Sequence, residues 1–390
     1  MKPTTRLGRW HRSALTLLRQ ASWRRVRLFD PHGSPVARFS VNDTASATGR
    51  PPILIVSGHR CGAFDGLLVQ AFHPTAVTLL STQLVANPYL RLLFTGIPIA
   101  RPQDRARGKD SGAVPDAVAA AAEQLRSGGD LVMYPEGTST WSHSPQPFHR
   151  GTAAALRRVL GEGHDVTLIP VAPHYERPTD WQSRAELVVG RPLTLRGSRP
   201  GESKPTLSEL AELIEARVRE LSVDSPTPET FAAARRGARA RIAADPESSY
   251  AAAFLRTQRA PATESAAPAA PWSRRVLSLV AIPALAALVA LHWPTLLAGW
   301  IGARAADGRN VVMLHRILTA LPVAALTLPI HLALAVQWPW LLIGHALAVI
   351  GFRTWGPVRD LWIRADDGVD APEPSIPADN SRARHDERHR

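Results

Sequence analysis

His59 and Asp65 lie in Ser57-Gly58-His59-Arg60-Cys61-Gly62-Ala63-Phe64-Asp65-Gly66, with five residues between them. Histidine is the side chain suited to general-base work near neutral pH, taking the proton of a hydroxyl as that hydroxyl attacks a carbonyl carbon. A carboxylate bonded to the other ring nitrogen fixes the tautomer and stabilises the imidazolium. A chain with 14 histidines contains such pairs by chance, so the spacing alone decides nothing. Cys61, two residues from His59, opens a second reading, since a Cys-His pair can make a nucleophile; a lone cysteine is otherwise a small buried hydrophobe.

A second constellation follows the apolar run Asp130-Leu131-Val132-Met133-Tyr134, namely Pro135-Glu136-Gly137-Thr138. Between the two constellations lies Gly96-Ile97-Pro98-Ile99-Ala100-Arg101, and after them Leu168-Ile169-Pro170-Val171. The planar fork of Arg101 suits a phosphate clamp. Its plainer reading is a surface arginine, because Arg105, Arg107 and Lys109 follow as a solvated basic loop. His149, His164 and His174 read as core or surface histidines.

The elements that must position these residues alternate. Ile53–Val56, Asp130–Tyr134, Val166–Pro170 and Glu186–Gly190 are short, apolar and bounded mostly by Gly or Pro, whereas 112–128 and 151–160 are Ala-rich and helical. Strand-helix alternation predicts an α/β fold with a mostly parallel sheet flanked by helices. Chemistry in such sheets gathers at the carboxyl ends of strands, and the His59 and Glu136 loops each follow a predicted strand. A helix is expected over Leu207–Leu221, with Thr206 and Glu209 as a capping box and Leu207, Leu210, Ile214, Val218 and Leu221 on one face.

The order of the four motifs resembles the glycerophospholipid acyltransferase family, over about Leu28 to Leu195. It extends to Pro147-Phe148-His149-Arg150-Gly151-Thr152-Ala153, where the family usually has an aromatic and a basic residue before a Gly that opens a helix. The commonest family spacing puts four residues between His and Asp. The five found here occur in branches resembling glycerol-3-phosphate acyltransferases with membrane segments after the catalytic domain. The resemblance implies an O-acyltransferase with direct transfer and no acyl-enzyme. His59 is then the base and Asp65 its orienter, with Gly96, Arg101, Pro135, Glu136, Gly137 and Thr138 binding substrate. Glu136 would bond a glycerol hydroxyl or position an arginine. The implied donor is acyl-CoA or acyl-carrier protein, the acceptor glycerol-3-phosphate or a lysophospholipid such as 1-acylglycerol-3-phosphate, and no metal or other cofactor is called for. Two alternatives stay open: a silent lipid-binding or membrane-remodelling protein retaining the fold, and a phospholipid transacylase.

Composition bounds the setting. The 390 residues carry 46 Lys+Arg against 33 Asp+Glu, a net +13, so the chain seeks polyanions. Anionic membrane lipid is favoured over nucleic acid, because the charge sits beside apolar segments and no nucleic-acid-binding signature appears. One cysteine excludes an internal disulfide framework. Residues 1–30 hold eight basic residues before Asp30, with Leu7, Trp10, Ala14, Leu17 and Leu18 at helical spacing. They read as a basic amphipathic interfacial helix, lying on lipid, packed on the catalytic domain, or both. The expected divisions are then an α/β domain at 31–200, a helical extension at 201–255, an Ala/Pro-rich linker at 256–273, membrane helices at 274–362 and a disordered polar tail at 363–390.

Val276 to Ile301 and Ile317 to Phe352 contain no Asp, Glu, Lys or Arg, and about 20 such residues cross a bilayer. Arginines flank both blocks. If basic loops stay cytoplasmic, each block returns to the side it left, with turns at His292-Trp293-Pro294 and Gln337-Trp338-Pro339-Trp340. Re-entrant hairpins are the expected form, and the catalytic domain is expected on the cytoplasmic face of a membrane.

Overall fold

The chain is described by a computed structural model covering residues 9–40, 48–82, 96–99, 116–260, 276 and 278–362. Ile53–Ser57 (β2) is buried at every position, as expected of β-branched and aliphatic residues in a strand covered on both faces. Its side chains alternate between two cores: Ile53 and Ile55 join one apolar cluster, Leu54 and Val56 the other. Around it lie Trp23–Phe29 (β1), Val77–Ser81 (β3), Ile97–Ile99 (β4), Leu131–Met133 (β5), Val166–Tyr175 (β6), Ser183–Val189 (β7) and Leu193–Leu195 (β8). The order is β1-β7-β6-β2-β5-β3-β4, with β8 also pairing β6. Pairings are parallel except β6 with β7 and β6 with β8, so the sheet is mixed and mostly parallel.

Helices cover both faces. Ala63–Phe72 (α2) supplies Phe64, Leu67 and Leu68 to one cluster. Ala117–Arg126 (α3), Gly151–Gly161 (α4) and Leu207–Leu221 (α5) supply Leu125, Leu156 and Ile214 to the other. The expected capping box forms at α5: Thr206 Oγ1 accepts from Glu209 N (3.2 Å), and Thr206 N donates to Glu209 Oε2 (2.8 Å). Pro228–Ala244 (α6) and Tyr250–Arg259 (α7) bury Phe231 and Phe254 against the α2 side.

The N-terminal segment departs from expectation. Arg9–Ser22 (α1) is helical, but β1 follows at once and pairs in parallel with β7, so the sheet begins within the stretch expected to be an interfacial helix. Three arginines in β1 disguise it as helix surface. Arg25 and Arg27 both pair with Glu247, which lets an arginine-rich strand sit at a sheet edge. On α1, Leu15 is buried and Leu18 packs on the core, while Leu17 stays 66% exposed. Leu7 and the Trp10 side chain lie outside the described residues, as do 261–273 of the expected linker, 274–275 of the expected membrane segment and the tail from 363. Residues 256–259 of that linker are the end of α7.

Among the described residues, three further helices are long and apolar enough to cross a membrane. Ile282–Arg304 (α8) runs unbroken through Pro294, so the turn expected at His292–Pro294 does not form and the first block is one helix. A proline costs a helix one hydrogen bond, whereas a turn in apolar surroundings would strand several backbone groups. The second expected turn does form, between Val312–Ala335 (α9) and Trp340–Trp362 (α10). Close packing is made by glycine: a Cβ at Gly302 would stand 2.5 Å from His315 O of α9, and one at Gly351 2.2 Å from Ala284 O of α8.

Candidate active site

β2 and β5 are adjacent and parallel, Val56 opposite Met133, so the loops leaving their carboxyl ends meet. His59 N donates to Glu136 Oε1 (2.6 Å), and Thr140 N donates to His59 O (3.2 Å). The Tyr134 ring stacks on the His59 imidazole with centroids 4.2 Å apart. The two motifs far apart in sequence thus form one site.

Asp65 sits in the first turn of α2, where the helix dipole favours a carboxylate. Its side chain is fully buried. The intervening residues wrap around it: Oδ2 accepts from Arg60 N (2.8 Å) and Cys61 N (2.8 Å) as well as lying 2.9 Å from His59 Nδ1. Gly62, with φ of +56°, makes that wrap possible. Oδ1 accepts from the Tyr175 hydroxyl (2.6 Å), brought from the far end of β6. An ionised carboxylate only accepts, so Nδ1 carries the His59 proton and Nε2 is left basic. The His59 side chain keeps 18% exposure, and among the described residues Nε2 has no hydrogen-bond partner.

Glu136 makes backbone contacts that its motif does not announce. It is 3% exposed, and its second oxygen accepts from Gln146 N (2.8 Å), so both oxygens are taken by backbone amides. Burial lifts its carboxyl above the ordinary range, against the opposing pull of the Gln146 and His59 amides. The side chain fastens the His59 loop to the Gln146 loop and is turned away from solvent. Pro135 is buried beside it, and Thr138 is half-buried. Gly137 has φ of +69°, and a Cβ there would stand 2.9 Å from His149 Cδ2.

Gly96 falls elsewhere. A Cβ there would stand 2.1 Å from Thr78 O, so this glycine serves the close approach of β4 to β3, and no described contact joins it to His59. Arg101, with Arg105, Arg107 and Lys109, lies outside the described residues. Cys61 is buried, and burial followed by Asp65 pushes its thiol well up, leaving it far from a thiolate. His174 is buried with Nε2 donating to Leu221 O (2.8 Å), and burial pulls it down to about 4.

Four residues that the sequence did not single out complete the site. Tyr134 adjoins the Pro-Glu-Gly-Thr motif and was within reach of a sequence argument; Tyr175 had no local signal. Arg60 is buried, pulled down to about 10 by burial, and stacks on Trp141 at 4.2 Å. Asn310, between α8 and α9, donates through Nδ2 to Ser139 O (2.8 Å) and Oγ (2.9 Å), bringing the apolar helices to the edge of the site.

Residues 38–173 match the Acyltransferase family model. A search of curated proteins found no match. Among solved structures, the 1-acyl-sn-glycerophosphate (LPA) acyltransferase PlsC from Thermotoga maritima is similar at 20% identity, over 54% of this chain and 73% of that one, with a TM-score of 0.34. His59, Asp65, Glu136 and Gly137 all fall within the matched stretch.

Proposed function

We propose that the chain is a membrane-bound O-acyltransferase of phospholipid synthesis. It moves a fatty acyl group from acyl-CoA or acyl-carrier protein to a hydroxyl of glycerol-3-phosphate or 1-acylglycerol-3-phosphate. The observation that carries this reading is the buried, fully hydrogen-bonded Asp65 holding His59 Nδ1 while Nε2 faces outward. Nε2 takes the acceptor hydroxyl's proton as its oxygen attacks the thioester carbonyl. The tetrahedral adduct then expels the thiolate, which leaves as the thiol with the proton returned from the imidazolium. The inert Cys61 thiol supports direct transfer.

Arg101 is proposed to meet the acceptor phosphate, with the backbone around Gly137 and Thr138 lining the approach. Glu136 acts on the position of His59. Three membrane-length helices hold the site at the bilayer. A cytoplasmic catalytic domain is the reading favoured by Arg304 at the end of α8, Arg309 before α9, and Arg353 and Arg359 on α10.

The test is transfer of a labelled acyl chain by the full chain in nanodiscs, offering glycerol-3-phosphate and 1-acylglycerol-3-phosphate in turn. Product is expected from the wild type and none from His59→Ala at matched expression and melting temperature. Transfer by His59→Ala near the wild-type rate overturns the mechanism. Absence of product from any thioester or phospholipid donor returns the chain to the silent lipid-binding class.

A further inference from the structure

A cleft of about 770 Å³ opens beside the sheet where β7 turns toward β8, lined by none of the residues given a role in acyl transfer. Its volume lies within the ~300–1,000 Å³ range of small-molecule sites. The floor is apolar, made by Val36, Phe39, Phe72, Ile169, Val189 and Leu221. The mouth carries Arg38, Arg191, Arg217 and Arg259, against two carboxylates, Asp30 and Glu220. Asp30 is occupied by its own turn, accepting from His32 N (2.9 Å) and Ser34 N (2.8 Å). Arg259 is tied to Glu220 O (2.7 Å). Among the described residues, the other three guanidiniums have no carboxylate within ion-pair distance.

An apolar trough with unneutralised planar cations at its rim is complementary to one class of ligand, an apolar chain ending in a multiply charged oxyanion. We infer that this cleft is a second lipid site, taking a single acyl chain that bears a phosphate monoester, with the chain on the Phe39–Leu221 floor and the phosphate among Arg38, Arg191 and Arg217. This goes beyond the acyl-transfer reading and rests on it only for the choice of lipid. The cleft also has a short route to the catalytic loop. Leu221 in its wall precedes Ser222, whose Oγ is 3.2 Å from where a Cβ on Gly58 would stand, and Gly58 precedes His59. Gly58 N in turn donates to Val171 O (3.3 Å), two residues along β6 from Ile169. Filling the cleft therefore bears on the residues that seat the base.

The probe is 1-acylglycerol-3-phosphate with a photoactivatable diazirine in its chain, added to the full protein in nanodiscs, with crosslinks mapped by peptide. The matched monoacylglycerol and acyl-CoA serve as parallel arms. The phosphate lipid is expected to label 36–39 and 189–192. The Arg191→Glu, Arg217→Glu double variant should lose about tenfold or more of that labelling, one guanidinium-phosphate contact being worth that much. Labelling around His59 should persist in the variant, which also serves as the control for folding. Equal labelling of the cleft by the neutral monoacylglycerol, or labelling indifferent to the charge reversals, overturns the inference. So does preferential labelling by acyl-CoA, which would make the cleft the donor's. These outcomes are independent of turnover, so failure here and failure of the acyltransferase reading are separable.

Discussion

Glu136→Gln separates two roles for the residue at the centre of the second motif. If Glu136 met the acceptor, the change would raise the acceptor's KM and spare the turnover of bound substrate. Its two buried oxygens instead accept amides of His59 (2.6 Å) and Gln146 (2.8 Å). Glutamine keeps one acceptor and sets an NH2 donor against the other backbone donor, in a place water does not reach. A hydrogen bond to a charged group is worth about 1.5–3 kcal/mol, and a buried group left unpaired costs a similar amount. If that loss falls on the placement of His59, kcat drops by roughly 10- to 150-fold, at 1.36 kcal/mol per decade. The assay is steady-state transfer with acceptor and donor varied separately, alongside thermal denaturation. The expected pattern is a large fall in kcat with both KM values within about twofold, since transition-state geometry and not ground-state binding is lost. A raised acceptor KM at unchanged kcat would refute the loop-fastening role and return Glu136 to the acceptor.

Tyr175→Phe removes the 2.6 Å bond to Asp65 Oδ1 and strands a buried carboxylate oxygen, so kcat should fall about tenfold with KM unchanged, measured in the same assay; an unchanged kcat would remove Tyr175 from the mechanism. His174 is held neutral by burial, its pKa lowered from 6.5 to about 4. As pH falls the unfolded chain takes the proton first, so this group's contribution, present above 6.5, is lost down to about 4, amounting to ~3 kcal/mol. In His174→Gln the melting temperature should depend less steeply on pH across that window, and equal slopes would contradict the assignment. Asn310→Ala deletes two bonds to Ser139 and should speed amide exchange across residues 139–142, with a few-fold loss of kcat; unchanged exchange there would mean the α8–α9 connection does not brace the site.

What was legible in the sequence was the part carried by local pattern. Ile53–Val56 and Leu131–Met133 are aliphatic runs closed by turn residues, and finding two motifs each directly after such a run put both at one sheet edge. The Thr206–Glu209 capping box is local as well. Illegible were contacts made at long range between residues with no special local spacing. Tyr175 reaches Asp65 across 110 residues, and its strand reads only as apolar. β1 was hidden because Arg24, Arg25 and Arg27 look like a solvated helix face until Glu247 and the edge of β7 are placed beside them. Glu136 stands out by motif, but its bonds to the His59 and Gln146 amides do not, because a motif names a residue without saying which way its side chain turns.

The apolar helices show the same limit from the other side. Hydropathy marks them as membrane-length and says nothing about which part of each is seated in the protein. Met313 and Ile317, in the first turns of α9, are buried within the cluster that contains Ile55, Cys61 and Phe64 beside the His59 loop. Arg359 on α10 is also buried, its guanidinium 3.2 Å from Asp180 and 2.9 Å from Asp360. Arg353 donates to Gln20 O (3.0 Å) and Gln182 Oε1 (3.2 Å), joining α10 to the end of α1 and the start of β7. Burying a methionine or isoleucine side chain contributes ~1.5–3 kcal/mol each, a sizeable share of the ~5–15 kcal/mol by which domains are stable. Such helices do more than tether a finished enzyme. The first turns of α9 pack into the same cluster as Cys61 and Phe64, which follow His59 in the chain, so part of an apolar helix is seated in the protein beside that loop.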